Sequence, residues 1–279
     1  IEGILTGIQY AVWVLALEAV LAELRPIPPA VLGAQESARA ARHILPSDGE
    51  HTQPASIAPP SEKSANAPLI EAKHLVFGYH TDIPIVQNLS LTIRRGEHTA
   101  IIGESGAGKT TLASLLLRLW EPDAGTISYD GVPHTKLSPD ASRAYFGAAL
   151  QGSWLFSASI RDNFLRLRGD ISEAAIWHAL ETAQLADVVR ALPAGLDEPL
   201  GMNASRLSGG QRSRLLTALA LAGDAPILLL DEPTAGLDAA CGTRLINAVL
   251  ADADARGATL IVITHDLPLL NQMKQVIKL

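Results

Sequence analysis

The stretch Gly103-Glu-Ser-Gly-Ala-Gly-Lys-Thr110 decides the fold. An apolar run, "HTAII" at 98–102, leads into it, and a helical pattern, "TTLASLLLRLW" at 110–120, leads out. A glycine-rich turn between a strand and a helix is the spacing G-x-x-x-x-G-K-[ST] needs if it is to wrap a phosphate. Glycines let backbone N–H groups turn inward, and the helix start adds the positive end of its dipole. The expected phosphate-binding set is Gly103, Glu104, Ser105, Gly106, Ala107, Gly108 and Lys109, with Thr110 and Thr111 at the helix start. Lys109 is placed to reach the β- and γ-phosphates, and the Thr110 hydroxyl to ligate Mg²⁺. A surface turn carrying a solvated lysine is the plainer alternative, and the flanking strand and helix argue against it.

Such a loop is shared by kinases, GTPases and ATPases, so the residues downstream must narrow the reaction. "ILLLDEP" at 227–233 is a continuous apolar run of the kind buried on both faces of a sheet, ending on Asp231 and Glu232. Asp231 at a strand end can hold a magnesium shell, and Glu232 beside it can polarise an attacking water. A second run, "TLIVITHD" at 259–266, delivers His265, which is placed to contact the γ-phosphate and orient that water. Shorter β-type runs, "LIEAKHLVFGY", "LSLTI" and "TISYDG", precede these, with helical patterns between. The expectation is an α/β domain with a largely parallel sheet core.

A further stretch, "SRLSGGQRSR" at 205–214, is a second glycine-bearing helix start suited to an anion. Taken in order and spacing, "GESGAGKT", "LSGGQ", "ILLLDEPTAGLD" and His265 resemble the nucleotide-binding domain of ABC transporters, over essentially all of 69–279. The resemblance implies a P-loop NTPase fold with a helical subdomain at about 152–220. It makes ATP and Mg²⁺ the cofactors. It also implies that Tyr79 in "LVFGYH" stacks on adenine, and that Gln151 in "AALQGSWLF" senses Mg²⁺ and the attacking water. Asp238 in "AGLD" would stand at a dimer seam. Two such domains would close head to tail, so that Ser208, Gly209, Gly210 and Gln211 cap the γ-phosphate of ATP held by the partner. ATP would then join the pair and hydrolysis loosen it.

Composition sets the remaining bounds. The 279 residues carry a formal charge of −7, which argues against nucleic acid as partner. Cys241 is the single cysteine, so no internal disulfide framework exists. Residues 3–24, "GILTGIQYAVWVLALEAVLAEL", would span about 33 Å as a helix, close to a bilayer core of roughly 30 Å, although Gln9, Glu18 and Glu23 interrupt it. A buried amphipathic helix is the alternative. Arg25, Arg39 and Arg42 follow the segment and put its end on the cytoplasmic side if it spans. "AVLGAQESARAARHIL" at 30–45 reads as another helix. Residues 46–68 hold five prolines and four serines and read as a linker. The chain starts at Ile1 and stops at Leu279 inside an apolar alternation, which reads as a piece of a longer protein.

Three classes compete: a fused exporter half-transporter, a separate importer ATPase, and a soluble ATPase acting on DNA or ribosomes. The apolar lead-in and "GSWLFSASIRDNFL" at 152–165 favour the exporter, with 1–45 as the end of its membrane domain in the inner membrane and membrane lipid around it. Within exporters, "LALEAVLAELRPIPPAVLGAQESARAARHIL", "AGLDEPLGMNASRLSGG" and "DEPTAGLDA" resemble the CydC half of the CydDC exporters. That resemblance implies a CydD-like half-transporter as partner in a heterodimer. It also implies small thiol reductants, cysteine or glutathione, as cargo in cytochrome bd assembly. A lipid- or drug-type exporter is the alternative.

Overall fold

The computed structural model describes residues 67–80 and 83–279. The membrane-helix reading of 3–24, the helix at 30–45 and nearly all of the linker at 46–68 lie outside the described residues.

In chain order the domain begins with β1 (Ile70–Phe77), β2 (Val86–Ile93) and β3 (Thr99–Ile102), followed by α1 (Lys109–Leu116). Next come β4 (Ala124–Tyr129), β5 (Val132–Pro133), α2 (Pro139–Arg143) and β6 (Phe146–Ala149). A helical stretch follows, with α3 (Ile160–Arg168), α4 (Glu173–Thr182), α5 (Ala186–Arg190) and α6 (Gly209–Leu221). The chain then returns to the sheet through β7 (Ile227–Asp231), α7 (Ala239–Arg256), β8 (Thr259–Ile263), α8 (Leu267–Leu270) and β9 (Gln275–Lys278).

These strands form two sheets. One is parallel, in the order β6-β7-β8-β3-β9, and the other is antiparallel, in the order β2-β1-β4-β5. Strands β7 and β8 are buried at every position, and their period-2 alternation divides them between two cores. Ile227, Leu229, Ile261 and Ile263 face α1 and the antiparallel sheet, joining Leu112, Leu115, Leu116, Ile70, Leu75 and Phe77. Leu228, Leu230, Leu260 and Val262 face the other way, onto Leu215, Ala218 and Leu219 of α6 and Leu245 and Val249 of α7. The parallel sheet is thus the shared middle layer, and its rigidity fixes whatever leaves its strand ends.

Two helices of the helical stretch begin on capping boxes, Ser159 with Asp162 at α3 and Ser208 with Gln211 at α6. The α6 box is the turn in which the sequence shows its second anion-suited helix start.

Candidate functional site

Four adjacent strands of the parallel sheet, β6-β7-β8-β3, each release a functional residue just past the carboxyl end. Gln151 follows β6, Asp231 and Glu232 close β7, His265 follows β8, and the 103–110 loop follows β3. Ligand sites of open parallel sheets form at this edge, because the loops there meet in a crevice. A cavity of about 530 Å³ occupies it, lined by Ser105, Gly106, Gly108, Lys109, Thr110, Thr111, Gln151, Asp231, Glu232 and His265, with Ile85 and Ala235.

The loop is built as an anion cradle. Gly106 and Gly108 sit at φ 84° and 92°, in the left-handed region where a side chain is strained. Gly108 also lies so near Ile85 that a Cβ would come within 3.0 Å of its methyl. Lys109 folds its ammonium back onto the Gly103 and Glu104 carbonyls at 2.9 and 2.8 Å, which fixes the cation over the loop. Helix α1 starts at Gly108 with no side-chain cap and no acidic residue in its first turn, so its N-terminal N–H groups and dipole are directed into the cavity.

Opposite stands an acidic wall. The Thr110 hydroxyl donates to Asp231 Oδ2 at 3.1 Å, and the Gln151 backbone N–H approaches the same oxygen at 3.4 Å. Burial pushes the Asp231 carboxyl above its ordinary value, against the pull of those hydrogen bonds. Burial likewise raises Glu232, with the nearby His265 opposing and Asp231 adding to the rise. Glu232 holds left-handed backbone at φ 50°, rare for a non-glycine residue, and its N–H is tied to the Ile263 carbonyl at 2.9 Å. Its Oε1 is buried without a hydrogen-bond partner among the described residues, 3.5 Å from His265 Nε2.

The ABC transporter family model matches residues 86–235, more than half of the chain. The chain belongs to the ABC transporter family. A lipid A-core flippase of Neisseria meningitidis is 40% identical over 200 residues, covering 71% of this chain and 32% of that protein. A lipid A-core flippase of Chromobacterium violaceum is 33% identical over 280 residues, covering 99% of this chain and 47% of its own length. The structure of a bacterial Atm1-family ABC exporter with ATP bound matches at a TM-score of 0.72 and 34% identity, over 77% of this chain and 37% of that one. This chain therefore spans a third to a half of the length of the relatives it matches. The described domain is an ABC transporter ATP-binding domain of exporter type. Among the described residues, no helix is long and apolar enough to cross a membrane.

Other ABC positions expected from the sequence do not line this cavity, although Gly209 shares a second cavity with Gln151, Asp231 and Glu232. None of Ser208, Gly209, Gly210 and Gln211 lines the first. Ser208 Oγ accepts from the Gln211 N–H at 3.2 Å, and Gln211 Oε1 accepts from the Ser208 N–H at 2.9 Å. Asp238 caps α7, its Oδ1 accepting from the Cys241 N–H at 2.8 Å. Tyr79 is 38% exposed and packs edge-on against Phe77 and Trp120. Its hydroxyl lies 3.4 Å from Thr111 Oγ1, beside the phosphate end of the cavity.

Sequence reasoning missed Ile85 and Ala235 as lining residues, and the left-handed backbone of Glu232. Ile85 lies only six residues past Tyr79, and that proximity was the available signal. The backbone of Glu232 is held by a nonlocal bond, its N–H to the Ile263 carbonyl, and by a turn bond from the Ala235 N–H to its own carbonyl.

Proposed function

We propose that this chain is the ATP-hydrolysing half of an exporter in the inner membrane, in which closure of two ATP-binding domains drives transport and hydrolysis resets it. The observation that carries the reading is the convergence of Lys109, Thr110, Gln151, Asp231, Glu232 and His265 on one cavity at the strand ends. In this reading residues 1–45 end a membrane domain, 46–68 form a linker, 69–279 form the ATP-binding domain, and about 152–220 its helical subdomain.

The 103–110 backbone and Lys109 hold the phosphates of ATP, and Tyr79 holds the base. The hydroxyl of Thr110, the carboxylate of Asp231 and the side-chain oxygen of Gln151 are hard oxygen donors that suit Mg²⁺, which when bound neutralises phosphate charge. Glu232 accepts the proton of the attacking water. Its buried Oε1, without a hydrogen-bond partner among the described residues, leaves an acceptor position available, and its raised pKa brings the base nearer to working pH. His265, 3.5 Å away, steadies that carboxylate and the water. Ser208, Gly209, Gly210 and Gln211 reach the γ-phosphate in a second half-transporter, with Asp238 at the seam between the two domains.

Two cargo classes follow from two observations. The Chromobacterium lipid A-core flippase aligns over 99% of the chain, beyond the ATP-binding domain, which supports a lipid-type cargo. The "AGLD" turn and the 194–210 stretch support the CydC-like reading, with a CydD-like partner and thiol reductants as cargo. Co-expression with the partner half, followed by ATPase stimulation with lipid A-core or with cysteine and glutathione, separates them. The ATPase itself is tested by dilution together with Glu232→Gln. Specific activity should fall as dimers dissociate, and the variant should bind ATP while hydrolysing it about 10²-fold or more slowly. A monomer cleaving ATP at full rate, or an unimpaired variant, defeats the proposal.

A further inference from the structure

The segment at 117–123, "LRLWEPD", leads from the end of α1 to β4 and is fastened at both of its ends. On one side, Arg118 Nε donates to Glu121 Oε1 at 2.6 Å, and Arg118 Nη1 donates to the His134 and Leu137 carbonyls at 2.8 and 2.6 Å. His134, buried, places its Nε2 2.9 Å from Glu121 Oε2, and this contact foremost draws the Glu121 carboxyl down to about 2. The connector is thereby pinned to the β5–α2 region.

Its other side holds the loop that carries Tyr79. Asp123 Oδ2 accepts from the Gly78 N–H at 2.9 Å, while the Asp123 N–H donates to the Val76 carbonyl at 2.9 Å. Trp120 meets Tyr79 nearly perpendicular, with centroids 5.5 Å apart at 83°, and meets Phe77 at 5.9 Å. Phe77 meets Tyr79 at 5.2 Å and 85°. The two pairs that Tyr79 makes with Phe77 and Trp120 have the favourable edge-to-face geometry, and the Phe77–Trp120 pair is tilted at 49°. At Gly78 a Cβ would come within 2.5 Å of the Ile83 carbonyl and 2.8 Å of the His80 carbonyl, so the position beside Tyr79 has no room for a side chain.

We infer that Trp120 and Asp123 are positioning residues which fix the ring of Tyr79 for the nucleotide base, linking the base end of the site to the far end of the phosphate-binding helix. The inference rests on the proposed role of Tyr79 as base platform. A base gains from stacking only on a ring already held in place, because ordering a loose side chain on binding reduces affinity. Asp123 fixes the backbone beside Tyr79 and Trp120 fixes the ring itself. Neither residue lines the phosphate cavity.

The test is calorimetric titration of the full 279-residue chain, in magnesium buffer, with ATP and with inorganic tripolyphosphate, which has no base. Trp120→Ala and Asp123→Ala should each weaken ATP about two- to tenfold and leave tripolyphosphate unchanged. Trp120→Phe should restore most of the ATP affinity. Tyr79→Ala should weaken ATP about five- to hundredfold, and Trp120→Ala added to it should do nothing more, since the two act as one unit. Equal loss of both ligands in the Trp120 and Asp123 variants would overturn the inference, by showing that the connector supports the phosphate loop instead. A Tyr79 effect with no effect at Trp120 or Asp123 overturns the inference alone. Undiminished ATP binding by Tyr79→Ala removes the base-platform reading beneath it.

Discussion

Helix α1 begins at Gly108 in left-handed backbone, with no side-chain cap and no acid in its first turn, whereas α6 begins at Ser208 inside a closed capping box. Both starts carry glycines, and both suit an anion by sequence. Their chemistry differs because helix N-termini leave N–H groups that must find acceptors. At α1 nothing in the described residues supplies a cap, the helix points into a cavity, and Lys109 stands beside it; an anion completes it. At α6 the box satisfies the Ser208 and Gln211 N–H groups internally, so the turn is stable without a ligand. The two glycines after it are not equivalent. A Cβ on Gly209 would meet nothing within 4 Å, while one on Gly210 would lie 3.0 Å from the Gly236 carbonyl and 2.9 Å from Leu237. A side chain at Gly210 would crowd the "AGLD" turn at Gly236 and Leu237, and Gly209 has open space where its side chain would be. In the function proposed above, the first helix start binds the nucleotide of its own chain and the second docks on that of a partner.

The largest break in that contrast comes at the open start. Lys109→Ala removes the cation that the loop carbonyls fix in place. We expect ATP affinity to fall about ten- to hundredfold, the loss of a charged hydrogen-bonding partner. Titration of the purified chain with ATP measures it, and normal affinity would show that the loop does not hold the phosphates. The same measurement on Ser208→Arg should find binding nearly unchanged if, as proposed, the capped start serves the partner's nucleotide.

A second measurement sharpens the docking side. In mixed dimers of Ser208→Arg with an intact half, one turnover site should be lost and the other kept, an effect of about twofold on total ATPase by simple stoichiometry of two sites. Loss of both sites, or of neither, would contradict head-to-tail closure.

How far this contrast could be read from the sequence depends on the range of the interactions behind it. The 103–110 loop, the strand ending at Asp231 and the Ser208–Gln211 box are local patterns, and the structure has each of them within a residue or two. The runs around "LIEAKHLVF" and "TISYDG" were legible as strands, but their pairing into a separate antiparallel sheet was not. Partners such as Ile70 and Tyr129 lie about sixty residues apart, and β-alternation does not say which strand completes which sheet. Asp238, expected at a dimer seam, caps α7, a role its type and spacing to Cys241 permit and one that leaves the seam expectation untouched. The connector holding Tyr79 escaped notice because Trp120 and Asp123 act across more than forty residues.

The smallest expected effect concerns stability and bears on the same acidic wall that faces α1. Burial raises the Glu232 carboxyl above its unfolded value of 4.5. Well below pH 4.5 the group is protonated in both states and carries no penalty. As pH climbs from there through the raised folded value, the unfolded chain ionises first, and folding stability is lost. Above that window the penalty is complete. Glu232→Gln has a similar shape and cannot ionise, so it should melt higher than the parent at pH 8. The difference should shrink toward zero by pH 4. Neighbouring Asp231 is shifted in the same direction but is present in both proteins, so it cancels in the comparison to first order. The strained φ of residue 232 cancels too, since glutamine must adopt it as glutamate does. A gain in melting temperature that did not depend on pH would place its origin in packing, and would deny that the carboxylate is held at a cost beside the phosphate-binding helix.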